Sequence, residues 1–228
     1  MYRYETHLHT SPASRCASAD VAESIAFYRQ LGYAGVFITN HFLDGNVGGD
    51  RTLPYRDQLD FYFADYYAAK ALETPEFSVF LGVEHSYKGT DFLIYGIKPS
   101  WYYDHPEILE MKKSELLPML TQAGALVIQA HPFREARYID HIRLFPRSVH
   151  GVEVVNASCL DSVNEMGRIY ADQYGLLHFA GSDNHSAAKV RRLGGIECAV
   201  RLTDEEDLVR RTLAGEITTF SMDNPLLA

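Results

Sequence analysis

Much of what would mark a redox, membrane or nucleotide-folding protein is missing from this chain. Only three of its 228 residues are cysteines, Cys16, Cys159 and Cys198. They form no C-x-x-C and cannot all pair, which fits free thiols in a reducing compartment. No apolar run reaches the roughly 18 residues of a membrane span, and no charged-then-apolar leader is present. The chain is therefore expected to be cytoplasmic, complete and without a membrane partner. It lacks Gly-x-x-x-x-Gly-Lys-[Ser/Thr], Gly-x-Gly-x-x-Gly and Gly-x-Ser-x-Gly, so the nucleotide folds and the serine-hydrolase elbow that carry them are disfavoured. Basic residues are outnumbered, 21 Lys and Arg against 30 Asp and Glu, for a formal charge of −9. A long nucleic acid needs a basic stripe that is not here. A small anionic substrate remains open, since bound divalent cations reverse the sign locally.

What is present is an ordinary globular composition, 46% hydrophobic and 22% charged, with strand-like and helix-like segments in alternation. A first strand over 2–8 leads to a polar loop, Thr10 to Ala19. Asp20 with Glu23 caps a helix carrying Ile25, Tyr28 and Leu31, ended by Gly32. Gly35–Thr39 reads as a buried strand, residues 42–54 as a Gly- and Asp-rich loop, and Tyr55–Glu73 as a helix. Strands follow at Ser78–Val83 and Phe92–Ile97, a helix at Lys113–Ala123, and strands at Ala125–Gln129 and Gly151–Val155. Helix Ser162–Tyr174, strand Leu177–Ala180, a helix capped by Thr203 with Glu206, and strand Ile217–Ser221 complete the order. The alternation implies an α/β fold with a mostly parallel sheet, open or closed, as a single domain over 1–228. Sites in such folds gather at the carboxyl ends of strands.

The polar residues at those predicted ends share one chemistry. They are His9, His41, Glu84, His131, Asn156 and Asp183. His7 and His9 stand two apart on a strand and face the same side, so both can grip one ion. Glu84 ends the apolar run Val79-Phe80-Leu81-Gly82-Val83, and a carboxylate there needs a partner. Pro132 is expected to hold His131 extended. Asp183 and His185 repeat the two-apart spacing. Each has an ordinary reading alone: an accidental His-x-His, a satisfied polar strand end, an Asx-type turn at Ser182-Asp183-Asn184. As a set they point to a metal site rather than a metal-free α/β protein. His105, His141, His150 and His178 fit no ligand spacing, and His85 should face away from Glu84.

In that order, His7-Leu8-His9-Thr10, Ile38-Thr39-Asn40-His41, Gly82-Val83-Glu84, Ala130-His131-Pro132 and Gly181-Ser182-Asp183-Asn184-His185 resemble the PHP (polymerase and histidinol phosphatase) family of metal-dependent hydrolases. The resemblance implies a distorted (β/α)7, TIM-like barrel with two or three divalent ions, Mn, Fe or Zn. It further implies one ion on His7, His9, Glu84 and Asp183, a second bridged by Glu84 to His131, and a third on His41 and His185. Departures are visible. Asp91 stands where many members carry a His, which shifts preference towards Mn or Mg. Asn40 replaces an Asp. The loop 11–20 offers no match to the family's further ligand, so the third ion is weak or absent.

The expected activity is hydrolysis of a small phosphomonoester by a metal-bridging hydroxide. Glu84 and Asp183 are the catalytic carboxylates, with Asp183 or a metal-bound water as proton donor. Arg134 and Arg15 are the candidate phosphate clamps. Loop 42–54 is a candidate lid or substrate wall, with an ordinary insertion as the alternative. Two other outcomes stay open: a phosphodiesterase or nuclease on nucleotides or short oligonucleotides, and a non-catalytic metal-binding module.

Overall fold

Strand β1 (Tyr2–Leu8) lies inside the sheet because its residues 4–8 are buried on both faces. It pairs with β2 (Gly35–Ile38) in parallel and with β8 (Arg192–Cys198) in antiparallel. The computed structural model describes residues 1–227. Its other elements are α1 (Val21–Gln30), α2 (Tyr55–Lys70), β3 (Ser78–Tyr87), β4 (Thr90–Tyr95) and α3 (Pro99–Asp104), then α4 (Lys113–Gln122), β5 (Leu126–Ala130), β6 (Gly151–Asn156) and α5 (Asp161–Tyr174), and finally β7 (Leu177–Gly181), α6 (Glu205–Leu213) and β9 (Ile217–Asp223). The nine strands form one sheet in the order β7-β6-β5-β4-β3-β2-β1-β8-β9.

That sheet curls until its far strand meets β1 and β8 again. Asn184, just past β7, donates its amide to His7 O and accepts from His9 N. Ser182 Oγ bonds Gly194 through both its N–H and its carbonyl. Tyr4, Phe37, Phe80, Leu93, Ile128, Phe179 and Ile196 meet in one buried cluster, which Leu202 and Leu208 of the α6 region join. Helices α1 and α2 pack outside, with Tyr28 and Ala69 in a second cluster beside Val36 and Val79. The architecture is a distorted, nearly closed TIM-like barrel, as the resemblance implied.

Several expectations change. The sheet is mixed, not mostly parallel, because β3 turns straight back into β4 and β8 runs against β1. Glu84 consequently sits within strand β3 rather than past its end, and Asp91 within β4 rather than before it. Strand β8 went unread because Gly194 and Gly195 look like a loop. They are glycines because a Cβ would lie 2.6 Å from Gly181 O and 2.2 Å from Tyr4 O. Helix α3, begun by Pro99, also lay in a stretch without clear periodicity. Asp204, not Thr203 with Glu206, caps α6 by accepting from Asp207 N. Helix α2 stops at Lys70, short of Glu73. Asp20 caps α1 as expected, and Gly32 follows its end at φ 73°.

Adding a methyl group at the β7–β8 seam tests the closure. Gly194→Ala should destabilise the fold by about 1–3 kcal/mol in urea unfolding, because the obstacle is backbone and cannot swing aside. A loss below about 0.5 kcal/mol would show that the seam relaxes freely.

Candidate metal centre

Register slips between β1 and β2 after Glu5. Tyr4 accordingly belongs to the inner cluster while Leu8 belongs to the outer one. A bulge of this kind re-aims side chains, and here it carries both His7 and His9 inward. Their Nε2 atoms come within 3.1 Å of each other. His41 follows β2, Glu84 comes from β3, Asp91 from β4 and His131 from just past β5. Asp183 and His185 lie in the turn after β7.

All eight of these residues meet in overlapping groups: His7, His9 and Glu84; His7, His131 and Asp183; Glu84, Asp91 and His131; His9, His41 and His185. Glu84 Oε1 lies 3.2 Å from His7 Nε2 and 3.6 Å from His131 Nε2. Its other oxygen is 3.4 Å from His9 Nε2 and also faces His41 Nδ1. Asp183 Oδ1 stands 3.5 Å from His7 Nε2 and 3.4 Å from His9 Nε2.

Charge is concentrated without being settled by hydrogen bonds. Both Glu84 oxygens and His41 Nδ1 are buried with no hydrogen-bond partner. A buried carboxylate in that state needs cations around it. Divalent ions fit the requirement, and the mixed imidazole and carboxylate groups are of a kind that could hold them. Burial opposes ionisation of Glu84, yet His41, His7 and His9 hold its carboxyl well below the usual range. Burial likewise works against Asp183, which His7, His9 and His131 hold low. Burial also disfavours a charged His7, but Glu153, Asp183 and Glu84 lift it well above an ordinary imidazole. His9 goes the other way, lowered by burial and by His185 and His41. It is thus a neutral, lone-pair-bearing ring.

Residues that the sequence reading passed over orient this set. Glu153 of β6 accepts from His7 Nδ1 at 2.8 Å and from His131 N at 3.1 Å, and Asn156 Nδ2 donates to it at 2.9 Å. An acid within Gly151-Val152-Glu153-Val154-Val155 carries the same signal as Glu84, a carboxylate in an apolar strand. His131 is not extended: its φ is 26°, and the bond from its amide to Glu153 holds it there. Ser14 Oγ lies 3.0 Å from His9 Nδ1 and donates to Asn40 Oδ1, so the amide at position 40 acts through a hydroxyl. Asn156, at the end of β6, serves Glu153 and lies 3.4 Å from Asp183 instead of joining the ligand atoms. Cys16 falls in the loop that offered no ligand by pattern. Burial raises its thiol, but hydrogen bonds to His185 and His41 bring it down to about 6.

The centre opens into a cavity of about 710 Å3. Arg134 lines it and reaches Asp183 Oδ2 at 3.2 Å. Arg15 has an exposed side chain outside that lining, and its amide donates to Asn46 O. Loops 10–19 and 42–49 are zipped together, by Arg15 with Asn46, Gly48 with Ala13 and Ser14 with Val47. Asp44 in the wall accepts from His85 Nδ1 at 2.8 Å, Lys113 Nζ at 2.6 Å and Ser86 N at 3.1 Å. His85 therefore faces away from Glu84, against Phe42.

Two measurements probe this scaffold. Glu153→Gln should weaken metal binding about 10–100-fold in calorimetric titration, since it loosens His7 and His131 together. An unchanged affinity would show that neither ring needs it. Burial opposes the Asp44 charge, but His85 and Lys113 pull its pKa from 3.8 to about 2. A depressed acid stabilises above its unfolded value and loses that contribution as pH falls through the folded one. Asp44→Asn should therefore flatten the stability profile between about pH 4 and pH 2, and a wild-type slope there would rule the contribution out.

No protein-family model and no curated protein sequence matches the chain. Solved structures do. PsfC from Pseudomonas syringae PB-5123 superposes with a TM-score of 0.62 at 18% identity, over 97% of this chain and 92% of that one. A two-domain protein from Bacteroides vulgatus, described as containing a predicted PHP-like metal-dependent phosphoesterase, gives 0.62 at 13% identity, over 96% of this chain and 64% of that one. An amidohydrolase from Chromobacterium violaceum, with bound sulfate and no metal, gives 0.53 at 14% identity, over 94% and 97%. Resemblance at this level is one of architecture, and the chain has the barrel fold of the PHP-like metal-dependent phosphoesterases.

Proposed function

We propose that the protein is a metal-dependent hydrolase of small phosphomonoesters. The observation that carries this reading is the buried Glu84 carboxylate, unpartnered at both oxygens and ringed by His7, His9, His41 and His131. His7, His9, Glu84 and Asp183 would hold one ion, Glu84, Asp91 and His131 a second, and His41 and His185 would be left for a third. Bound divalent ions supply Lewis acidity and bring the pKa of water towards neutrality. The names of the similar structures, phosphoesterase and amidohydrolase, both fit hydrolysis of this kind.

What points to phosphate is Arg134, whose side chain is 37% exposed and lines the cavity while bound to Asp183 on one side. Its remaining donors are free to bind phosphoryl oxygens, where charge redistributes in the transition state. Water oxygen forms the new bond to phosphorus, the ester P–O bond breaks, and the alcohol leaves with a proton. Asp183, which His7, His9 and His131 hold ionised against its burial, would serve as an ion ligand through Oδ1 while Oδ2 holds Arg134 in place. The net charge of −9 supports a small substrate over a polymer.

The test strips the protein of metal, restores Mn, Fe or Zn, and compares a monoester, a diester and an amide at equal loading. Monoester turnover should dominate, and Arg134→Ala should lower kcat/KM about 10–100-fold. Full metallation without phosphoester turnover, or faster diester cleavage, would overturn the proposal.

A further inference from the structure

At the mouth of the cavity stands a lysine in a backbone conformation that lysine rarely adopts. Pairing of β3 with β4 ends at Tyr87 and Thr90, leaving Lys88 and Gly89 as the turn. Their φ angles are 50° and 80°. Two left-handed residues make the hairpin turn whose twist matches the strands, and its first position is ordinarily Asn, Asp or Gly. A lysine there is a local cost, and such costs gather at functional sites.

The tip is fixed rather than loose. Arg143 Nη1 donates to Lys88 O at 2.9 Å, and a Cβ on Gly89 would sit 2.8 Å from Ile139. Lys88 lines the same cavity as Asp91, Arg134 and His185. Arg134 is paired with Asp183, and Asp44, the nearby wall acid, is saturated by His85, Lys113 and the Ser86 amide. Among the described residues no carboxylate pairs with the Lys88 ammonium, which has only the Tyr87 ring at 5.6 Å. Ser86 lies opposite Asp91, and Lys88 follows two residues on, in the turn. The backbone that bears this uncompensated cation is thus anchored at the rim of the cavity that Asp91, Arg134 and His185 also line.

We infer that Lys88 is a specificity-determining residue that binds a second anionic group of the substrate, a carboxylate or another phosphate, a few bonds from the scissile phosphoester. The inference rests on the phosphomonoesterase reading above. It makes the substrate class a small bis-anionic phosphoester, with Arg134 on the reacting phosphate and Lys88 on the distal charge.

Three probes separate the possibilities: glycerol 3-phosphate, which has no second anion; 3-phosphoglycerate, which adds a carboxylate; and a hexose bisphosphate, which adds a phosphate. The metal-loaded enzyme should prefer one or both bis-anionic probes about tenfold in kcat/KM over glycerol 3-phosphate. Lys88→Asn, which suits the turn, should keep or raise Tm yet remove that preference through KM. Its turnover of glycerol 3-phosphate should be unchanged, and Lys88→Arg should retain the preference. Whichever bis-anionic probe loses more identifies the distal group. Equal rates on all three probes, or an Asn variant that alters them alike, would overturn the assignment while leaving phosphomonoester hydrolysis intact. No turnover of any probe at full metallation would instead remove the phosphomonoesterase reading, and this inference with it.

Discussion

One buried carboxylate that the chain itself does not satisfy governs the centre. The interior holds several acids, and most are met by protein donors. Glu5 accepts from His7 N, Ser182 N and Tyr28 Oη; Asp65 accepts from Thr10 Oγ1 and Ala13 N; Glu153 has His7, His131 and Asn156. Glu84 differs, with imidazoles around it and no hydrogen bond to either oxygen. Leaving such a group buried costs several kcal/mol unless cations surround it. The arrangement makes sense when its lone pairs are ligands.

The satisfied acids explain how the ligands keep their places. Glu153 ties the ring of His7 to the backbone of His131, thereby linking β1 to the end of β5. Glu5 spans from β1 to the start of the turn after β7, next to Asp183. It is fully buried, and burial pushes its carboxyl up to about 7. Positioning by such partners is as much a part of a metal site as the ligands themselves. Loop 42–54 belongs to the same scaffold. Phe42, Leu43 and Val47 are buried, Gly48 lies against Pro12 O, and Asp44 is locked to His85 and Lys113. Residues 42–48 of the loop are thus packed, with Asp44, Gly45 and Asn46 in the cavity lining, while 50–54 are exposed.

Legibility followed the physics of each signal. His7 and His9, Glu84, and Asp183 with His185 announced themselves as a set, because metal-type residues recur at expected strand ends, although each alone has an ordinary reading. Glu153 carried an equal signal inside a valine-rich strand but lacked a neighbouring motif. Lys88 was unreadable, since only its φ and the cavity around it distinguish it from a surface lysine. Strand β8 was missed because Gly194 and Gly195 look like a turn until the closeness of Gly181 and Tyr4 is seen. The mixed sheet escaped notice because alternation of strand and helix says nothing of the direction in which a two-residue turn sends the next strand.

From its residues alone the chain determined most of its elements, a set of metal-type side chains and the absence of a long apolar run. Those follow from local periodicity and from the cost of burying polar groups, and both are written in neighbouring positions. Which carboxylate stays unsatisfied, which arginine meets Asp183, and where Lys88 stands were decided by tertiary structure. These depend on distances between residues far apart in sequence, and only the closing of the sheet through Gly181 and Gly194 fixes them.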